Sequence, residues 1–126
     1  MHHGLNFIAG WWLILGAFGT GAIIGLGFHR EDFLGGYGSL RRRLTRLGHI
    51  ALAALGGLNV LYGLCPVSDR PGSAAGWTEG LFLAGAIAMP AVCFLSAWRP
   101  AFRHLFFVPV TLLIGAVVLV LLQLSP

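Results

Sequence analysis

Four stretches of the sequence are each long enough and apolar enough to cross a lipid bilayer, and this feature constrains the fold more than any other. They cover residues 8–28, 47–65, 80–97 and 105–122, and none contains Lys, Arg, Asp or Glu. A helix needs about 20 mostly apolar residues to cross the hydrocarbon core. Within that core only helices and closed barrels satisfy the backbone. The sequence therefore predicts an all-α membrane protein, a four-transmembrane-helix bundle that forms a single domain over residues 1–126.

The composition supports this class and excludes others. Apolar residues make up 57% of the chain and charged residues 10%, whereas soluble domains have about 45–50% and about 25%. The net charge of +4 does not indicate a nucleic-acid partner, because the basic residues adjoin apolar spans. The sequence contains no catalytic or phosphate-binding motif. We therefore expect a protein that is not itself an enzyme.

The arginines are divided unequally between the connections. Seven of the eight fall in the first and third connections, and Arg70 alone falls in the second. Cytoplasmic loops of membrane proteins carry the excess of basic residues. This count predicts an N-out/C-out orientation, with the first connection in the cytoplasm and the chain in a bacterial inner membrane.

The first connection contains a short amphipathic segment. Its apolar residues recur at alternating spacings of four and three, as on one face of a helix: Phe33, Tyr37, Leu40, Leu44 and Leu47. Ser39 is a candidate N-cap for this helix. We expect it to start at Leu40, to lie at the lipid headgroups and to run into the second span. Its basic residues are expected to contact lipid headgroups or an acidic partner: Arg41, Arg42, Arg43 and Arg46.

Small residues at helical spacing predict close packing between the spans. Such residues let helix backbones approach where no hydrophobic force separates protein from lipid. The predicted packing residues are Ala17, Gly21 and Gly25 in the first span and Gly56, Asn59 and Gly63 in the second. Because a polar group facing lipid is costly, the stripe that carries Asn59 is expected to face the interior.

Three histidines are candidate haem ligands. His29 ends the first predicted span, His49 begins the second and His104 precedes the fourth, so the predicted topology places all three on one side of the membrane. His49 lies on the same helical stripe as Gly56 and Asn59. Axial histidines in helical bundles commonly hold haem. One hypothesis is therefore a haem b site with His49 as a ligand, and the alternative is hydrogen bonding to headgroups or backbone.

Two further patterns limit the function. No carboxylate falls inside the predicted spans, which argues against a proton-coupled transporter. Cys65 and Cys93 are predicted near opposite sides of the membrane, too far apart for a disulfide.

Taken with the absence of catalytic motifs, the sequence favours an accessory or structural subunit of a larger membrane complex, with other membrane subunits and lipid headgroups as partners. Complexes of respiratory or photosynthetic electron transfer are the expected setting, since they commonly carry small helical subunits. A redox subunit that binds haem b and a small oligomeric transporter or channel are the two alternatives.

Overall fold

The computed structural model describes residues 4–68 and 72–125, which are mostly helical. Four long helices follow one another along the chain: α1 (Leu5–Gly27), α2 (Leu40–Gly63), α3 (Ser73–Trp98) and α4 (Phe107–Leu124). Two 3-10 helices, Phe33–Gly35 and Pro100–Phe106, precede α2 and α4. All four spans are long and apolar enough to cross a membrane, and no strand occurs in the described ranges. The predicted all-α, four-span class is thus confirmed.

α2 and α3 begin before the apolar stretches from which their membrane spans were predicted. α2 begins at Leu40, as the amphipathic pattern predicted, and runs into the second apolar stretch. The Ser39 cap is confirmed, because its Oγ accepts a hydrogen bond from Arg42 N at 3.2 Å. α3 begins at Ser73 rather than at residue 80. Arg70, part of the topology argument, lies outside the described residues. The orientation of the termini and the cytoplasmic side of the first connection stay predictions.

Each long helix packs antiparallel against the one before it, which gives an open row rather than a closed ring. The extensive contacts join α1 to α2, α2 to α3 and α3 to α4, whereas α1 touches α3 only sparsely. Among the long helices in the described ranges, α4 packs extensively on α3 alone. Burial differs between the helices because α3 has two neighbours in the row, whereas α1 and α4 have one each. Within the apolar stretch of each helix, 44% of α3 is buried, against 17% of α1 and 11% of α4.

A small apolar core joins three of the helices near one end. Tyr62 of α2, Phe82 of α3 and Ala116 of α4 are buried together, and the Tyr62 and Phe82 ring centroids are 5.0 Å apart. This core holds the C-terminal end of α2 against the N-terminal half of α3. It thereby fixes the position of the polar residues that surround it.

The connection between α1 and α2 is folded tightly onto the helix ends. The Phe33 ring packs on Gly27, where a Cβ would collide with it. Ser39 Oγ donates to Leu34 O at 2.7 Å, and Leu34 adopts a left-handed conformation at φ 55°. Such a conformation is costly for a residue with a side chain and persists only where its surroundings enforce it. The connection is therefore a structured element.

Candidate functional site

The tightest helix contact lies between α1 and α2, at two glycines. A Cβ on Gly10 would lie 2.6 Å from Gly56 O, and a Cβ on Gly56 would lie 2.9 Å from Gly10 O. Two turns further along α2, a Cβ on Gly63 would lie 2.9 Å from Phe7 N. The two backbones are thus in contact over this stretch. Gly56 and Gly63, two of the predicted packing residues, lie at this contact, whereas Gly10 was not among the predicted residues.

Beside this contact, two buried asparagines bond to each other. Asn6 and Asn59 are 1% and 0% exposed, and Asn6 Nδ2 donates to Asn59 Oδ1 at 2.8 Å. Asn6 Nδ2 also donates to the backbone oxygen of Glu79 at 3.3 Å, and Asn59 Nδ2 donates to Leu55 O at 2.8 Å. Asn59 faces the interior, as its stripe predicted. Its bond to Asn6, which in turn reaches α3, links three helices.

Glu79 corrects a sequence expectation. It lies inside α3, within the apolar span Ala74–Trp98, so a carboxylate does occur in a candidate span. The predicted start of this span, at residue 80, left Glu79 just outside. Its neighbour Trp77 is 70% exposed, as expected of an aromatic residue at the membrane interface. The absence of a carboxylate from the spans therefore no longer counts against a transporter.

Further polar contacts extend this layer to α4. Tyr62 Oη donates to Ala75 O at 3.3 Å, and Gln123 Nε2 of α4 donates to Thr78 Oγ1 of α3 at 2.9 Å. Thr78 is fully buried. Each of the four helices thus contributes at least one polar side chain at this end of the molecule. We call this set the polar layer: Asn6, Asn59, Tyr62, Thr78, Glu79 and Gln123.

A small cavity opens into the polar layer. Its volume is about 30 Å³, and its walls belong to α1, α2, α3 and the turn after α2: Gly4, Asn6, Tyr62, Gly63, Ser68 and Glu79. A space of this size holds a water molecule or a small ion. In the described part of the chain, Asn6 Oδ1 is buried without a hydrogen-bond partner. This cavity is the best candidate for a binding site.

The three histidines predicted as haem ligands lie in different settings. His29 is exposed in the turn after α1, and His104 is exposed in the 3-10 helix before α4. His49 is half-buried against α1, with Nδ1 3.2 Å from Thr20 Oγ1. The Thr20 hydroxyl also lies 2.9 Å from Gly16 O, so His49 Nδ1 donates to Thr20 in the tautomer in which Thr20 donates to that carbonyl.

In that tautomer His49 Nε2 is an acceptor, the form in which a histidine binds a metal. However, a Cβ on Gly21 would lie only 3.3 Å from Nε2, so this edge of the ring packs on α1. Haem ligation by His49 stays a prediction.

The small residues of α1 divide into two groups. Ala17 is buried and Gly21 accommodates the His49 ring, as predicted for helix packing. Gly25 is exposed, and a Cβ there would meet nothing within 4 Å, so it makes no packing contact inside the described chain. The face of α1 that contacts α2 also includes Asn6 and Gly10, which were not among the predicted residues. A polar residue one turn before a glycine was the signal that could have revealed it.

The arginines at the start of α2 differ in their contacts. Arg41 Nε donates to Ala97 O at 3.1 Å, at the C-terminal end of α3. Arg42 is 5% exposed: its Nη2 donates to Phe28 O at 3.3 Å, and its guanidinium lies 4.7 Å from the Phe28 ring centroid. Arg46 lies over the Tyr37 ring, and Arg43 is exposed. Arg42 thus differs from the expected headgroup contact, since it is buried at the end of α1.

The remaining site chemistry is sparse. Cys65 and Cys93 are free thiols, as expected. Within the described ranges, no group of three His, Cys, Asp or Glu side chains gathers to hold a metal ion. No protein-family model matches the chain, and neither a curated protein nor a solved structure is significantly similar to it.

Proposed function

We propose that the chain is an accessory subunit that binds a transmembrane helix of a neighbouring protein in the groove between α1 and α3. The observation that carries this proposal is the groove itself. It has a volume of about 290 Å³ and is lined by Ala9, Trp12, Leu13, Leu83 and Ile87. It exists because α1 and α3 both pack on α2 but touch each other only sparsely.

The walls of this groove suit a helix. Ala9 lines it on α1, and Gly80 and Ala84 lie on the exposed side of α3, close in sequence to Leu83. A Cβ on Gly80 would meet nothing within 4 Å. Helices in a bilayer associate by close packing of small residues, and an unfilled cleft forfeits those contacts. A partner helix in the groove would become a second close neighbour of α1, which otherwise packs extensively on α2 alone.

The setting follows the sequence argument. A chain with four spans, an open helix row and no metal-binding cluster in its described part suits a structural subunit better than a catalytic one. We propose a complex of electron transfer in a bacterial inner membrane. Mass spectrometry of the chains that co-purify with the tagged protein tests this assignment.

Ala9→Leu and Ala22→Leu form a matched pair for the groove. Both residues lie on α1, but Ala9 lines the groove and Ala22 is exposed. We expect Ala9→Leu to lose its co-purifying partners in mild detergent while Ala22→Leu keeps them. Equal retention by both variants would contradict the groove as the binding surface. Circular dichroism of each variant controls for loss of the fold.

The transporter alternative now has one observation in its favour, the carboxylate of Glu79 within α3. Ion flux into vesicles that contain the purified protein tests this alternative. Glu79→Gln should then show no flux. The haem b alternative rests on His49 Nε2, which is an acceptor in the tautomer that donates through Nδ1. It requires a b-type absorption band in the purified complex that His49→Ala removes.

A further inference from the structure

The orientation of both buried amides in the polar layer is determined by backbone acceptors. Asn59 must direct its NH₂ group to Leu55 O, and Asn6 must direct its NH₂ group to Glu79 O. A flip of either amide would place two oxygens against each other. Both hydrogens of Asn6 Nδ2 are then used, one for Asn59 Oδ1 and one for Glu79 O.

Asn6 Oδ1 is consequently an acceptor that needs a donor or a cation. It has no hydrogen-bond partner among the described residues, although Asn6 is 1% exposed. A buried acceptor left without a partner destabilises the fold, because its hydrogen bonds to water are lost and not replaced. Asn6 lines the small cavity, which supplies the space for a partner.

The other side chains of the cavity wall also present oxygens. Tyr62 Oη uses its hydrogen for Ala75 O, and Ser68 Oγ uses its hydrogen for Cys65 O at 2.8 Å. Each of these oxygens keeps lone pairs. Glu79 adds a carboxylate, and both oxygens of an ionised carboxylate are acceptors and not donors. The wall therefore offers four side chains with oxygen acceptors and one negative charge.

A monovalent cation satisfies such a wall better than the other candidates. Water has two hydrogens, so it cannot serve four acceptors and it leaves the charge uncompensated. Calcium prefers six to eight oxygens and commonly more than one carboxylate, and transition metals prefer nitrogen or sulfur ligands. An anion would be repelled by Glu79. A volume of about 30 Å³ admits a single small ion.

We propose that the cavity bounded by Asn6, Tyr62, Ser68 and Glu79 binds a single sodium ion. The ion would join α1, α2, α3 and the turn after α2 through oxygens from each. Because a ligand that binds only the folded state stabilises it, sodium would stabilise the fold in a saturable way. This proposal is independent of the accessory role.

Equilibrium dialysis of the purified protein against ²²Na⁺, with choline chloride to keep the ionic strength constant, tests the proposal. We expect saturable binding of one sodium per chain and a matching saturable rise in Tm. Glu79→Gln keeps the size of the side chain and removes the charge, and it should abolish both effects. Glu31→Gln is the matched control, because Glu31 is exposed in the first connection. It should behave as wild type.

Two results would overturn the proposal. One is the absence of saturable ²²Na⁺ binding to the wild-type protein, which would mean that water alone occupies the cavity. The other is equal binding by Glu79→Gln and wild type. If Glu79→Gln does not fold, Ser68→Ala replaces it. That variant keeps the charge and removes one oxygen, so it should weaken sodium binding, and unchanged binding would contradict the assigned site.

Discussion

Gly10→Ala adds a single methyl group at the closest backbone contact of the molecule. The new Cβ would lie 2.6 Å from Gly56 O, 2.7 Å from Val60 Cγ2 and 2.8 Å from Val60 N. Two of these three atoms belong to the backbone of α2, so no side-chain rotation relieves the overlap. The helices must move apart, and overpacking of this kind costs about 1–3 kcal/mol. This overlap should lower the free energy of unfolding by that amount, before the helix preference of alanine over glycine is counted.

Gly25→Ala is the matched control on the same helix. A Cβ there meets nothing within 4 Å, so only the helix preference of alanine over glycine remains, about 0.5–1 kcal/mol in favour of the variant. Because both variants gain this preference, they should differ by the overpacking cost alone, about 1–3 kcal/mol. Reversible unfolding in mixed micelles, followed by circular dichroism, measures the difference. Equal stability of the two variants would refute the close contact of α1 with α2.

The remaining predictions concern the polar layer, the first connection and the topology. A double-mutant cycle with Asn6→Ala and Asn59→Ala should give a coupling free energy of about 0.6–1.7 kcal/mol, and a value near zero would mean that the amides do not bond. Arg42→Ala should lower the free energy of unfolding by about 1.5–3 kcal/mol and expose residues 29–38 to protease, because it removes a charged donor to Phe28 O. Arg43→Ala is the control and should have little effect, because Arg43 is exposed. Similar cleavage of both variants would contradict this role of Arg42. Gly38→Cys in a Cys65→Ala background should react with a membrane-impermeant maleimide only from the cytoplasmic side, and labelling from outside would reverse the predicted orientation.

The four spans could be predicted because apolar content is a local property of the sequence. The same holds for the Ser39 cap and for the stripe of Gly56, Asn59 and Gly63, since a helix repeats every 3.6 residues and these residues share a face. Both depend on neighbours along one helix. Neither requires knowledge of which helix lies opposite.

The features that escaped prediction depend on contacts between distant parts of the chain. Asn6 and Glu79 lie just outside the predicted spans, because a polar residue ends an apolar window even when its partner is another buried amide or a backbone oxygen. The burial of Arg42 could not be inferred either, since its partners Phe28 and Tyr37 lie in the preceding turn. Gly25 has the spacing of a packing residue but faces away from α2.

Arg41 and Arg42 have two roles, because they also donate hydrogen bonds to the backbone oxygens of Ala97 and Phe28. The same charges that would hold the first connection on one side during insertion afterwards bind the carbonyl ends of α3 and α1. Orientation and tertiary structure are therefore not separable traits in this chain. Moving these positive charges to invert the protein in the membrane would also remove the hydrogen bonds that hold the ends of α1 and α3. An inverted form would therefore need other contacts at those helix ends.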